Sequence, residues 1–151
     1  MSTYNEWDSL RKVVVGVADY ATIPPLDISL RTVNYADVKD EKQIKKGPYP
    51  QQVVDEANED LETLSDFLTS CSVEVVRPYR DLVHYYNYCP RDTVVTYGDK
   101  SIAAPMSLRA RKNEYLAYAR HLKNIEIVPN YQDDDIYNLN CLGDPDVLAL
   151  N

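Results

Sequence analysis

The stretch "QQVVDEANEDLETLSDFLTS", residues 51–70, constrains the fold of this chain more than any other. Val54, Ala57, Leu61, Leu64 and Leu68 recur at helical spacing, Phe67 widens the stripe, and the opposite face is acidic. Asp55 and Glu56 stand near its start, where carboxylates suit the positive end of the helix dipole. Two β-branched runs flank this predicted helix. "RKVVVGV" (Arg11 to Val17) is a short apolar run ending at a glycine, a buried strand by type. "VEVVRP" (Val73 to Pro78) alternates as a strand and stops at proline. Between the first strand and the helix, from about 18 to 50, periodicity fails. Pro24, Pro25, Gly47 and Pro48, with the lysines at 39, 42, 45 and 46, read as an irregular excursion of the kind that is functional or partly disordered.

The second half repeats the theme. "TVVTY" (Thr93 to Tyr97) and "SIAA" (Ser101 to Ala104) flank Gly98-Asp99-Lys100, a tight hairpin connection. Ser107 is placed to cap a helix running to about Leu122, with Leu108, Tyr115, Ala119 and Leu122 on its apolar side. "IEIVP" (Ile125 to Pro129) closes as a strand. Two units of strand or hairpin, helix and strand suggest a divergent structural repeat within one α/β domain over 1–151. The acidic segment at about 130–151 reads as an irregular tail.

Composition narrows the function. The 44% hydrophobic and 26% charged content is that of a soluble globular protein. A net charge of −8 argues against nucleic acid as partner, since the basic clusters Lys39–Lys46 and Arg109–Lys112 are short and flanked by acids. Cys71, Cys89 and Cys141 have no CxxC or Cys-His spacing and suit reduced thiols in a cytosol. The first residues carry no secretory signal, and "VVVGVA" is far too short to span a bilayer. The expectation is a cytoplasmic protein with no membrane partner. Thirteen tyrosines against one phenylalanine suit half-polar contact surfaces.

Three blocks carry a family resemblance: "YNEWDSLRKVVVG" (Tyr4 to Gly16), "ANEDLETLSDFL" followed by "VEVVRP", and "PRDTVVTYGDKSIAAPMSLRARKNEY" (Pro90 to Tyr115). In this order they resemble the amino-terminal part of glycine amidinotransferase and its arginine:amine relatives, within the guanidino-group-modifying, or pentein, superfamily. The resemblance implies an α/β propeller of ββαβ modules, of which this chain supplies about two, an incomplete ring. It implies a reaction in which a cysteine attacks the guanidinium carbon of arginine and ornithine leaves. An amine such as glycine then takes the amidino group, and a histidine moves the protons. Carboxylates hold the planar guanidinium by paired hydrogen bonds. In the relatives the catalytic Asp, His and Cys follow a segment like "DPDVLALN" (Asp144 to Asn151). The expectation is therefore a truncated amidinotransferase-like protein, inactive alone, with no catalytic residue among its 151 and no cofactor. The alternatives are a non-catalytic binding or interaction module, or one half of a split enzyme. Expected partners are arginine or another guanidino compound, bound weakly, and a second copy or a complementing chain.

By resemblance, Asp92 lines the active site and contacts the substrate guanidinium; the plainer role is a carboxylate capping a turn after Pro90. Arg111, one helical turn from Glu114, by resemblance borders the substrate carboxylate. Arg91 and Arg109 read as solvated partners of Glu114 or other acids, and Met106 as packing beneath the site. His121 falls at the end of the second helix, and His84 in a tyrosine-rich loop; neither has a metal or catalytic partner by spacing. Cys89 directly precedes Pro90, but the family nucleophile comes from the far end of the chain. Asp133, Asp134, Asp135 and Asp144 lack a calcium-loop pattern and read as a solvated acidic loop.

Overall fold

In the computed structural model, residues 3–5, 7–79 and 85–128 are described. The elements are β1 (Lys12–Val14), β2 (Thr22–Ile23), α1 (Ile28–Asn34), β3 (Gly47–Pro48), α2 (Gln51–Ser70), β4 (Glu74–Val76), β5 (Val94–Tyr97), β6 (Lys100–Ala103) and β7 (Ile125–Ile127). Five 3₁₀ helices lie at Glu41–Gln43, Pro90–Asp92, Arg109–Arg111, Glu114–Ala117 and Ala119–His121.

The long helix forms where the apolar spacing places it, and it is the crossover that lets β1 and β4 pair in parallel, Val13 opposite Val75. Its buried line differs from the expected one. Val54 and Ser65 are buried and Ala57, Leu61 and Leu68 half-buried, while Leu64 and Phe67 (63% accessible) stand in solvent. The cause is polar. Asn58, one residue past the expected stripe, accepts from the Ala18 N–H (2.8 Å) and donates to Asp19 Oδ1 (2.9 Å), which turns that side of the helix inward. At the far end Ser72 has φ +63°, and the Val73 N–H reaches Leu68 O at 3.0 Å while the Ser72 N–H reaches Thr69 O at 2.9 Å. That is a Schellman closure with serine where glycine is usual.

The segment at 18–50 is more ordered than its sequence suggests. Asp27 caps α1, its Oδ1 accepting from the Leu30 N–H at 2.8 Å, and Asp40 caps the Glu41–Gln43 turn in the same way. β2 and β3 pair antiparallel, and Leu30, Ile44 and Ala21 are buried. Seven residues of helix and two-residue strands are too short to leave a periodic trace, which is why this part reads as irregular.

β5 and β6 form the expected hairpin through Gly98 (φ +59°), and β6 pairs in parallel with β7. Both halves thus contain a strand, a helical crossover and a parallel strand. The second crossover is not the α-helix expected from Ser107 to Leu122; it is the three 3₁₀ helices between Arg109 and His121. Leu108, Arg111, Glu114 and Ala117 are all buried, one every third residue, as three residues per turn demands. Tyr115, Ala119 and Leu122, from the expected apolar side, are each only half-buried. Thr3 pairs with Gly98 across two backbone hydrogen bonds, tying the amino-terminal arm to the hairpin. No helix among the described residues is long and apolar enough to cross a membrane.

The two halves meet where the backbone at 87–88 passes over Gly16. The Val17 N–H donates to Asn87 O (3.2 Å), and a Cβ on Gly16 would lie 2.5 Å from Asn87 O and 2.6 Å from Tyr88 Cα. Those neighbours are backbone and cannot swing aside. Gly16→Ala is therefore expected to destabilise by about 1–3 kcal/mol, the usual range for overpacking a core. Urea denaturation checks this, and an unchanged midpoint would show that the 85–89 segment moves away at no cost.

Candidate functional site

Pro90 sets the fixed φ of the first residue in a 3₁₀ turn that ends at Asp92. Thr93 follows, almost fully buried, with Oγ1 donating to Pro90 O at 3.0 Å and its own carbonyl accepting from the Ala104 N–H at 3.0 Å. The turn is thereby locked to the start of the hairpin, and Asp92 stands at the entrance to β5.

What Asp92 meets there is Arg111. Arg111 is 8% accessible, and its Nη1 donates to Asp92 Oδ2 at 2.8 Å. Its Nε donates to Glu114 Oε2 at 2.8 Å and its Nη2 to Cys89 O at 3.0 Å. The Tyr86 ring lies over the guanidinium, 5.2 Å from centroid to Cζ. Glu114 is wholly buried, and its Oε1 accepts from the Tyr86 N–H at 2.8 Å. One guanidinium therefore ties together the Pro90–Asp92 turn, the chain at 86–89 and the crossover helices.

Burial opposes the charge on Asp92, but hydrogen bonding and attraction from Arg111, helped by Arg91, hold its pKa below the usual aspartate value. Burial likewise opposes the charge on Arg111, and its two carboxylate partners outweigh it, so the guanidinium stays charged. Glu114 goes the other way. Burial pushes its carboxyl up despite the pull of Arg111 and the Tyr86 N–H. Tyr86 is pushed up to about 12, first by burial and then by Tyr49. Tyr118 is also raised by burial, and its hydroxyl donates to Asn87 O at 3.3 Å.

The remaining candidates sort themselves around this cluster. Of the residues read as solvated partners of Glu114 or other acids, the exposed Arg91 (93% accessible side chain) lies 3.3 Å from Asp92 Oδ1, whereas the residue on Glu114 is Arg111. The Arg109 N–H donates to Ser29 Oγ at 3.1 Å, tying the crossover to α1. Met106 is half-buried. His121 Nε2 lies 3.0 Å from Arg77 O and 3.2 Å from Arg120 Nε, away from the aspartate. The Cys89 thiol is half-buried and burial raises its pKa against the pull of Arg111, the reverse of an activated nucleophile. His84, Cys141, Asp133, Asp134, Asp135 and Asp144 lie outside the described residues. Among the described residues no group of three acids, histidines or cysteines is placed to hold a metal. A cavity of about 200 Å³ lies beside Pro90, walled by Val13, Val14, Val94 and Tyr118 and flanked by Lys12 and Arg91. With two cations and no carboxylate on its wall, it does not suit a guanidinium. Sequence reasoning places Asp92 and Arg111 as separate contacts and misses that they bind each other. The three-residue spacing from Leu108 to Ala117 is the available signal, since it puts Arg111 and Glu114 on one inward edge.

Comparison with known proteins agrees with this architecture, although no family model matches the chain. Inosamine-phosphate amidinotransferase 1 of Streptomyces glaucescens is 43% identical over 131 residues, which is 78% of this chain and 38% of that protein. The mitochondrial glycine amidinotransferase of Gallus gallus is 33% identical over 135 residues, 81% of this chain and 32% of the relative. Among solved structures, inosamine-phosphate amidinotransferase from Streptomyces griseus superposes with a TM-score of 0.81 at 34% identity, over 89% of this chain and 44% of the other. An amidinotransferase from Microseira wollei gives 0.69 at 25% identity, over 87% and 42%. The fold is thus the mixed α/β fold of amidinotransferases. The chain's homologues include inosamine-phosphate and glycine amidinotransferases, and it spans about a third of their length.

Arg111→Met would leave Glu114 buried with only a backbone N–H as partner. The expected loss is about 3–5 kcal/mol, the usual result of removing one member of a buried pair. The double variant Arg111→Met/Glu114→Leu, which removes the stranded charge, is expected to regain part of it. Denaturation at neutral pH measures both; a single variant as stable as the parent would show that Glu114 finds another partner.

Proposed function

We propose that residues 1–151 form one domain of about two ββαβ-like modules of a pentein propeller, and that it contributes the guanidinium-holding side of an amidinotransferase. The whole enzyme would move the amidino group of arginine to glycine or another amine. The observation that carries the reading is the superposition at TM-score 0.81 on an inosamine-phosphate amidinotransferase, together with a carboxylate at Asp92 already arranged around a guanidinium. Asp92 is the substrate contact in this reading, and Arg111 holds it in place.

The 151 residues by themselves are read as inactive. Nucleophilic attack on a guanidinium carbon needs an activated thiol and a proton carrier. Among the described residues Cys89 is deactivated by burial and His121 is engaged with Arg77 and Arg120. Binding of free arginine is expected to be weak, because one partly exposed carboxylate gains about 1 kcal/mol or less from a cation. Purified polypeptide with arginine and glycine should yield no ornithine, and calorimetry should give only millimolar or weaker binding that Asp92→Asn removes. Turnover by these residues alone, or submillimolar binding indifferent to Asp92→Asn, would sink this reading.

A second copy or a complementing chain is proposed to cover the apolar surface that remains. Trp7 is 83% accessible, and Tyr97, Ile127 and Phe67 are also largely exposed. Large aromatic and aliphatic side chains left exposed on a surface favour association. Light scattering over a dilution series should show mass above one chain that falls on dilution. A monomer at every concentration, with no binding of an apolar dye, would refute this.

A further inference from the structure

We propose that Glu114 is a positioning residue for the guanidinium subsite: it fixes Arg111 so that Asp92 is held through Oδ2 and keeps Oδ1 for the edge of a second planar cation. This rests on the reading that Asp92 meets a substrate guanidinium. Both oxygens of Glu114 are committed, Oε2 to Arg111 Nε and Oε1 to the Tyr86 N–H, each at 2.8 Å. With Nε fixed by Glu114 and Nη2 by Cys89 O, the guanidinium plane has no freedom left, and Nη1 meets Asp92 Oδ2. Tyr86 covers one face of that plane.

The asymmetry at Asp92 is the second observation. Arginine and carboxylate commonly pair through two parallel hydrogen bonds, using both oxygens. Arg111 takes only Oδ2, and Oδ1 is left to the exposed Arg91 at 3.3 Å. An exposed pair of that length is easily exchanged for a ligand. A fully buried glutamate is also a poor stabiliser in itself, since replacing buried ion pairs with apolar groups is often neutral. Its use at this position is geometric.

The test follows the Asp92 carboxyl carbon by NMR through a pH titration of the 151-residue chain and of Glu114→Gln. Glutamine has one oxygen, so it serves either Arg111 or the Tyr86 N–H and sets its NH₂ against the other donor. Two effects of this change have opposite signs. Removing a nearby negative charge lowers the Asp92 pKa, whereas loosening Arg111 raises it. The proposal expects the midpoint to rise toward that of an ordinary aspartate. A midpoint that is lower or unmoved in the folded variant overturns it. Should the variant not fold, the parent protein decides. Burial raises Glu114, so it takes up its proton before Asp92 as pH falls. Asp92 and Arg111 resonances that shift at the Glu114 midpoint support the proposal, and resonances that stay still there overturn it. No arginine is added in either measurement, so the role of Glu114 is decided separately from whether the chain binds arginine.

Discussion

A guanidinium buried among two carboxylates, a carbonyl and an aromatic ring is the interaction on which the second half of this protein depends. Arg111 meets Asp92, Glu114 and Cys89 O within 3.0 Å. Arg111 and Glu114 had to leave water to meet, and Asp92 left it in part. A charge in such a place is tolerated only with its partners assembled, so the turn at Pro90–Asp92, the chain at 86–89 and the crossover are obliged to arrive together. The chain holds this guanidinium with two carboxylate acceptors, a carbonyl and an aromatic face.

The first half reaches a similar end by backbone contact. Gly16 admits the crossing chain at Asn87 and Tyr88, and Arg77 donates from Nη1 to Gly16 O at 2.5 Å while pairing with Glu62 on α2 at 2.8 Å. His121 on the last crossover helix meets the carbonyl of the same Arg77. The residues just after β1 and β4 therefore touch the residues just before β5 and β7. The two halves share one seam, and the aspartate lies on the turn next to it.

Much of this is legible in the sequence, for physical reasons that differ from element to element. The strands at Lys12, Glu74, Val94, Lys100 and Ile125 and the helix at Gln51 follow from β-branched runs and a twenty-residue amphipathic period. Asp92 stands out by its flanks. The crossover escapes because Leu108, Tyr115, Ala119 and Leu122 satisfy a period of 3.6 well enough to hide a period of three. Glu114 reads as solvated because acids are almost never fully buried without a partner, and its partner three residues earlier reads, by resemblance, as a substrate contact. In the sequence the partnership shows only through the three-residue spacing that sets both residues on one edge. α1 escapes because a single capped turn or two leaves no repeating pattern, although Asp27 is there to announce it.

The three-residue beat from Leu108 to Ala117 sets a rule for how this segment can change length. Arg111 closes one 3₁₀ helix and Glu114 opens the next, so one residue inserted or deleted in the turn between them would carry the glutamate off the edge that faces its arginine. Three inserted residues would restore the facing edge but move the glutamate about 6 Å along the axis, away from its arginine. Lineages of this fold should therefore keep the spacing between these two residues fixed, or replace arginine and glutamate together.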